Sequence, residues 1–465
     1  MKIRNLIVFG LIGLLFGISS CRDDFDYDIA SKSLSFSSDT LNLDTIFNHT
    51  NSQTYKLIIH NHENKDIQIP RIYLSRGESS FFKLNVDGMP GSDFENVAIR
   101  KKDSIFVFVE IAAGEAPVNP NYEDEINFET TGGTQQVKLL SYIEKAEFYI
   151  PQQGQTDHDL TETLWDNSKS RVIFGNLHVT NGLYIQGGTK VYFHNGAGLT
   201  IDNGNFTVDG ILGNEVIFRT DRMDERSDSL PDQWGKIKIK TNSGIENSID
   251  YAIIKSANIG LEVENSKLNL KNTKILNSQE IGLYTRNSIV RGENVVVSHS
   301  NLASLAVEGG DVEFIHSTFA NYFNIGQGGG GNYSLYLGNT DNDGNNIPLV
   351  QANFYNCIFY GRSSNAIIFD NTENSAFNHD FKNNVIRLDF PNEIGGIDNT
   401  NLIDTDPMFA NPGFGKNDFR LLIDSPALGT AATFYANMVP LDLLGHSRTG
   451  SSPTPGAYQD AVDPD

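Results

Sequence analysis

Three groups of residues have types and spacings that could do chemistry. In Asn339-Thr340-Asp341-Asn342-Asp343-Gly344, the side-chain oxygens of Asn339, Asp341 and Asp343 alternate ahead of a glycine. Hard cations such as calcium are held by oxygens in that spacing, with the glycine making the sharp turn. Position twelve of such a loop is Val350, where a bidentate glutamate belongs, so calcium binding and a plain solvated loop both fit. A second group is basic: Lys236, Lys238, Lys240, Lys255, Lys267, Lys271, Lys274, Arg286 and Arg291. Such side chains serve as general bases, with calcium to neutralise an acidic sugar's carboxylate, or simply keep strand surfaces soluble. The third is His60-x-His62, two imidazoles on one side of a strand end, with no third metal ligand at a telling spacing.

Other chemistries lack their residues. No Ser-His-Asp spacing, phosphate loop or nucleotide fingerprint stands out. The formal charge of −23 repels nucleic acid and anionic membranes. It also makes an anionic polysaccharide an awkward ligand unless a metal or a local basic patch intervenes. Of the two cysteines, Cys21 and Cys357, the second lies in an apolar run and reads as a small buried side chain.

A repeat would position most of these groups. From about Ile249 to Phe390 an apolar residue, a polar residue and a second apolar residue recur, as in Leu270-x-Asn272-x-x-Ile275 and Phe354-x-Asn356-x-x-Phe359. The polar position falls at Asn272, Asn294, His316, Asn356 and Asn383, in steps of 22, 22, 40 and 27. Each unit holds short runs of period-two alternation, such as Leu268-x-Leu270, separated by polar or glycine residues. One unit cannot bury its apolar row alone, but units stacked at about 4.8 Å pair every strand with its counterparts. Asn at the recurring position suits a corner, because it tolerates left-handed backbone and can hydrogen-bond along the column. The reading is a right-handed parallel β-helix over residues 171–395, after a polar connection and cap at 146–170 in which Trp165 seals the first coil.

The chain start resembles a bacterial lipoprotein leader. Residues 1–20 have Lys2 and Arg4, an apolar run from Leu6 to Ile18, and Ile18-Ser19-Ser20-Cys21, which resembles a lipobox. That resemblance implies a lipid on Cys21, with an acidic tether at 21–33. Arg22-Asp23-Asp24 resembles the surface-export signal of Bacteroidetes lipoproteins, which implies display on the outside of the outer membrane. Residues 34–145 carry about seven evenly spaced strand candidates and resemble immunoglobulin-like modules related to the ASH and Hydin domains. Residues 396–465, with Asp406-Pro407-Met408-Phe409, Ser425-Pro426-Ala427-Leu428, Gly445-His446-Ser447-Arg448 and Gly456-Ala457-Tyr458, resemble the C-terminal tail of bacterial surface β-helix proteins. These include choice-of-anchor proteins and polysaccharide-lyase relatives. Asn339-Thr340-Asp341 resembles one polygalacturonase motif, but the Asp-Asp pair and Gly-His-Gly of that family are missing from the coils.

The predicted architecture is all-β: an N-terminal immunoglobulin-like β-sandwich, then a right-handed parallel β-helix with an irregular C-terminal cap. The expected function is a non-catalytic, lipid-anchored surface protein presenting a β-helix face to a glycan or a protein. A polysaccharide lyase or glycosidase on the same scaffold is the alternative, and a structural partner in an outer-membrane assembly a third reading.

Overall fold

The computed structural model describes residues 27–224, 226–325, 331–341, 343–389, 396–450 and 452–464. Cys21 and the Arg22-Asp23-Asp24 signal lie outside the described residues, as does Asn342. The chain is almost entirely β and divides into two compact units, one ending at Glu144 and the other beginning at Lys145.

The first unit has two sheets around one core. One is ordered Asp28–Ile29, Ile67–Leu74, Asn121–Thr130, Gly133–Glu144, Thr40–Asn42, with Asp93–Ile99 paired to Ile67–Leu74 and Ile46–Phe47 to Gly133–Glu144. The other is ordered Ser35–Phe36, Tyr55–His60, Ser104–Ile111, Phe82–Val86, Met89–Gly91. Alternate residues of both sheets, such as Leu57, Ile59, Val107 and Val109 from one and Ile69, Ile72, Phe128 and Leu139 from the other, share that core. Asp93–Ile99 escapes the sequence reading because Asn96 interrupts it in left-handed backbone, φ 58°.

The second unit is built of parallel strands in three stacks. The first stack runs as eleven strands from Ala146–Tyr149 to Leu402–Ile403. The second begins at Asp157–Leu160 and the third at Leu164–Trp165; the long strands Ile281–Glu293 and Ala303–Ile315 run from one to the other and join them in one sheet. Stacking therefore starts one rung earlier than expected. The stretch 146–170, expected as connection and cap, supplies a strand to each stack. Its runs are only two to four residues long, too short to show alternation, and one of them is mostly polar, with Asp157, His158 and Asp159.

Register explains the repeat. Leu268 pairs with Val290, which pairs with Val312, so apolar residues fall over apolar residues and enter one core. Aromatic rings stack along it: Phe314 on Phe354 at 5.9 Å, Phe354 on Phe381 at 4.9 Å, and Phe319 on Phe359 at 5.1 Å. The corner residues Asn272, Asn294, His316, Asn356 and Asn383 all adopt left-handed backbone, φ 46° to 56°. Asn294 donates to Asn272 at 2.9 Å, Asn272 to Asp250 at 2.8 Å, and the Asn356 amide meets the His316 ring at 2.9 Å. Cys357 is buried beside that corner, where burial pushes its thiol up to about 12.

The tail differs from an end cap. Leu402–Ile403 adds the last strand to the first stack, and the following residues then lie along that stack's outer side. There Phe409, Phe419, Leu421, Leu443, Ala457 and Tyr458 pack on outward residues Leu276, Val296, Ile358, Tyr360 and Val385. The outward side of these strands is apolar, so a flank needs covering as well as an edge. The family-like tail residues perform this docking. Arg448, buried and pushed down to about 10 by that burial, donates to the carbonyls of Val439, Leu441 and Gly456. Asp442 accepts the backbone N–H groups of Leu444, His446 and Gln459. Asn356 exchanges hydrogen bonds with Ala432 at 2.8 and 3.0 Å, so a corner residue also holds the tail.

His299 is buried among Tyr322, Phe414 and Phe419, and burial pushes its pKa down to about 4. The unfolded chain, near 6.5, binds a proton in the window where the folded chain does not, so folding loses stability as pH falls from 6.5 towards 4. The full effect is about 3 kcal/mol. His299→Asn, which suits the left-handed backbone there, is expected to flatten the fall in melting temperature between pH 7.5 and pH 5. An unchanged pH dependence would refute this.

Candidate functional site

The outer side of the second stack carries the densest arrangement of polar side chains. Strands here alternate, so every second residue faces out and stacks with its counterpart in the next rung. One outward column runs Glu264, Arg286, Glu308, Gly338, Asp370 in continuous register. Asp202 and Lys240 extend it backwards, one position beyond the paired Ile201 and Ile239. Charge alternates down this column: Lys240 lies 3.0 Å from Asp202, and Arg286 lies 2.6 Å from Glu264. The alternation stops at Gly338, where a cation would be due between Glu308 and Asp370.

The neighbouring column runs Lys238, Glu262, Tyr284, Ala306, Tyr336, Ile368. Lys238 bridges Glu262 at 2.8 Å and Glu264 at 2.6 Å, and Lys236 reaches Glu262 at 2.7 Å. Burial alone would raise Glu262, but these ammonium groups hold it below the usual range. Tyr284 donates to Glu308 at 2.6 Å, and Tyr336 repeats the contact two rungs on, donating to Asp370 at 2.7 Å. Small residues separate each pair: Ala306 lies between the tyrosines and Gly338 between the acids. The result is a patch of two phenols and two carboxyls on alternate rungs, with the Tyr336 ring lying over the buried Gly338.

Electrostatics distinguish the two ends of this surface. Around Lys238 acids and bases neutralise one another. Around Glu308 and Asp370 the acids exceed the bases. Glu308, only 8% exposed, is pushed up by burial; Tyr284 and Arg286 oppose the rise, and Asp341 and Asp370 add to it. Burial first, then the acceptor carboxylates, raise Tyr284 and Tyr336 as well. A carboxyl biased towards its protonated form, opposite a second carboxyl, can donate a proton or a hydrogen bond.

The residues singled out in the sequence fall in several places. Asn339 is buried and turned inward, donating to the carbonyls of Thr372 and Ser375. The Asp341 carboxylate closes a turn by accepting the N–H groups of Asp343 and Asn345 and the Asn345 amide. Asn339, Asp341 and Asp343 therefore do not converge on one point. Among the described residues no group of three His, Cys, Asp or Glu side chains is placed to hold a metal ion. His60 and His62 stack with ring centres 5.6 Å apart. Lys236, Lys238, Lys240, Lys267, Lys271, Arg286 and Arg291 are all ion-paired. Lys274 lies beneath the tail, over the Tyr458 ring, and burial lowers its pKa. Glu308, Asp370, Tyr284 and Tyr336 were missed. The signal for them was the 22-residue step from Glu264 to Arg286 to Glu308, which alternates in sign.

No protein-family model matches this chain, and no curated protein matches it. Among solved structures, a family 123 glycoside hydrolase from Clostridium perfringens, described for glycolipid glycan hydrolysis, is similar over 25% of this chain, at 10% identity and a TM-score of 0.18. The likeness spans 30% of that protein's chain and carries no argument about fold or activity.

Replacing Gly338 with lysine is expected to complete the alternation. A Cβ there stands 3.1 Å from Tyr336, whose ring must give by a few tenths of an ångström. The Glu308 carboxyl, raised in the native chain, should then titrate below its native pKa, as read by nuclear magnetic resonance. An unshifted titration would show that Gly338 is not a gap in the column.

Proposed function

We propose that this chain is a lipid-anchored surface protein that binds an uncharged glycan along its parallel unit without processing it. In this reading Cys21 is the acyl acceptor, Arg22, Asp23 and Asp24 direct the protein to the outside of the outer membrane, and the first unit is an immunoglobulin-like spacer. The parallel unit is a right-handed β-helix flanked by its tail. One observation carries the glycan reading: two phenols, Tyr284 and Tyr336, stand two rungs apart on the outer side, each donating to a carboxylate, Glu308 and Asp370. Phenol rings cover the apolar faces of sugars, and carboxyl groups accept from their hydroxyls. The acid excess around Glu308 and Asp370 repels uronates, which favours a neutral ligand. A lyase finds little support, because most of the candidate bases are spent in ion pairs.

A glycosidase is the second reading, favoured by the raised Glu308 opposite Asp370. Their backbones are two rungs, or about 9.6 Å, apart. Inverting enzymes hold a general acid and a general base roughly 6.5–9.5 Å apart.

A panel of neutral oligosaccharides separates the readings. Under the first, the native chain binds one of them, Tyr284→Ala and Tyr336→Ala each weaken binding about tenfold, and no sugar is released. Release of sugar by the native chain, abolished in Glu308→Gln, would replace binding with hydrolysis. Failure to bind any neutral glycan would sink both.

A further inference from the structure

The two tyrosine–acid pairs on the outer side of the second stack are copies of one another. Tyr284 is in register with Ala306 and donates to Glu308, two residues further along that strand, at 2.6 Å. Tyr336 is in register with Ile368 and donates to Asp370, again two residues further along, at 2.7 Å. Tyr284, Ala306 and Tyr336 share one column, so the second pair lies two rungs beyond the first. Parallel strands in a stack keep their direction, so this step is close to a pure translation of about 9.6 Å.

The doubling is not a general habit of the outer surface. The third stack has one pair of the same offset, Tyr184 with Asp209, but two rungs on from Tyr184 its column holds Ser248. Tyr355 in that stack is in register with Lys382 and reaches backwards to Asp380. On the second stack both phenols are half-buried, so each keeps part of its ring in solvent, and the residue between them is the small Ala306. Each tyrosine occupies one oxygen of its acid. The rest of each carboxyl group can still accept a hydrogen bond.

Two like subsites related by a translation select a ligand that repeats by the same translation. Such a ligand lies along the stack and offers the same face at both stops. A glycan joined through equatorial bonds at opposite corners of each pyranose, as in β-1,4-linked glucose or mannose, is a straight ribbon. Each sugar advances the chain by slightly more than one rung and is turned over relative to the last. Every second sugar therefore presents the same face. With one sugar at Tyr284 and the next but one at Tyr336, the inverted sugar between them falls over Ala306. Chains with α-1,4 or β-1,3 linkages coil, and so leave one tyrosine when they meet the other.

We infer that this patch reads a straight, β-1,4-linked neutral glycan running parallel to the stack, held at alternate sugars by Tyr284 and Tyr336. The inference rests on the reading of the patch as a glycan site, and adds the linkage, the direction and a minimum length. A ligand held at one tyrosine meets the other at high effective concentration, but only once it has three sugars.

The test uses the chain from Cys21 onward, made without acylation. Ligand-observed nuclear magnetic resonance, which reads weak binding, is run with β-1,4-linked glucose and mannose series of two to six sugars, and with maltohexaose and laminarihexaose. In one β-1,4 series the six-sugar chain is expected to bind at least about tenfold tighter than either coiled hexasaccharide. Within that series affinity should jump about tenfold between two and three sugars and rise little afterwards. Tyr284→Ala and Tyr336→Ala should each remove the jump, while binding of the two-sugar ligand falls no more than about twofold, because one subsite remains. Should either variant melt early, the other carries the same expectation. Maltohexaose or laminarihexaose binding as tightly, or an affinity that climbs without a step at three sugars, refutes the inference and leaves glycan binding standing. Failure of every neutral glycan to bind sinks the glycan site itself, and the inference with it.

Discussion

A side chain in a stack of parallel strands has its own counterparts above and below it, about 4.8 Å away. The second unit depends on that constraint. It puts Phe354 between Phe314 and Phe381, and Asn294 over Asn272. It also favours alternating outward charges, because like charges one rung apart repel, although Asp209 stacks on Asp250. Asp250, Lys271 and Glu293 obey this in one column, and Glu264, Arg286 and Glu308 in another. The same rule organises core, corner and surface.

The constraint also sets what could be read in advance. Corners need left-handed backbone, which few residues tolerate, so Asn272, Asn294, Asn356 and Asn383 mark the period in the sequence itself. The strand alternation around them follows. The first rung was illegible because its strands are short and one of them is mostly polar, and pairing to Ser170–Ile173 and Asn176–Val179 defines it. The tail's change of composition was legible, but its destination was not: Phe409 and Tyr458 cover strands far from them in sequence.

Burial beneath the tail creates groups that water would not allow. His299, Lys274 and Arg448 all have depressed pKa values because the tail and the first stack exclude solvent from them. Each disfavours its charged form for the same reason. They are costs of covering a flank that is otherwise apolar. The flank gains Ile358, Tyr360 and Val385 as core in return. Among the described residues, the outward Arg286 is half-buried and Asp370 exposed.

That contrast bears on why Gly338 matters. A stacked column that alternates in sign over Asp202, Lys240, Glu264, Arg286 and Glu308 has a local reason to place a cation next. Glycine there forgoes side-chain packing and an ion pair, and glycine weakens a strand besides. Its backbone does not need glycine, since it lacks the positive φ seen at Gly309 and Gly310. Crowding bears on it instead, since a Cβ would stand 3.1 Å from two atoms of the Tyr336 side chain and 3.4 Å from a carbonyl. The glycine lets that phenol lie across the column and reach Asp370. Proteins break a local rule where function needs the break. A column that otherwise neutralises itself lacks a cation between the two acids to which Tyr284 and Tyr336 donate.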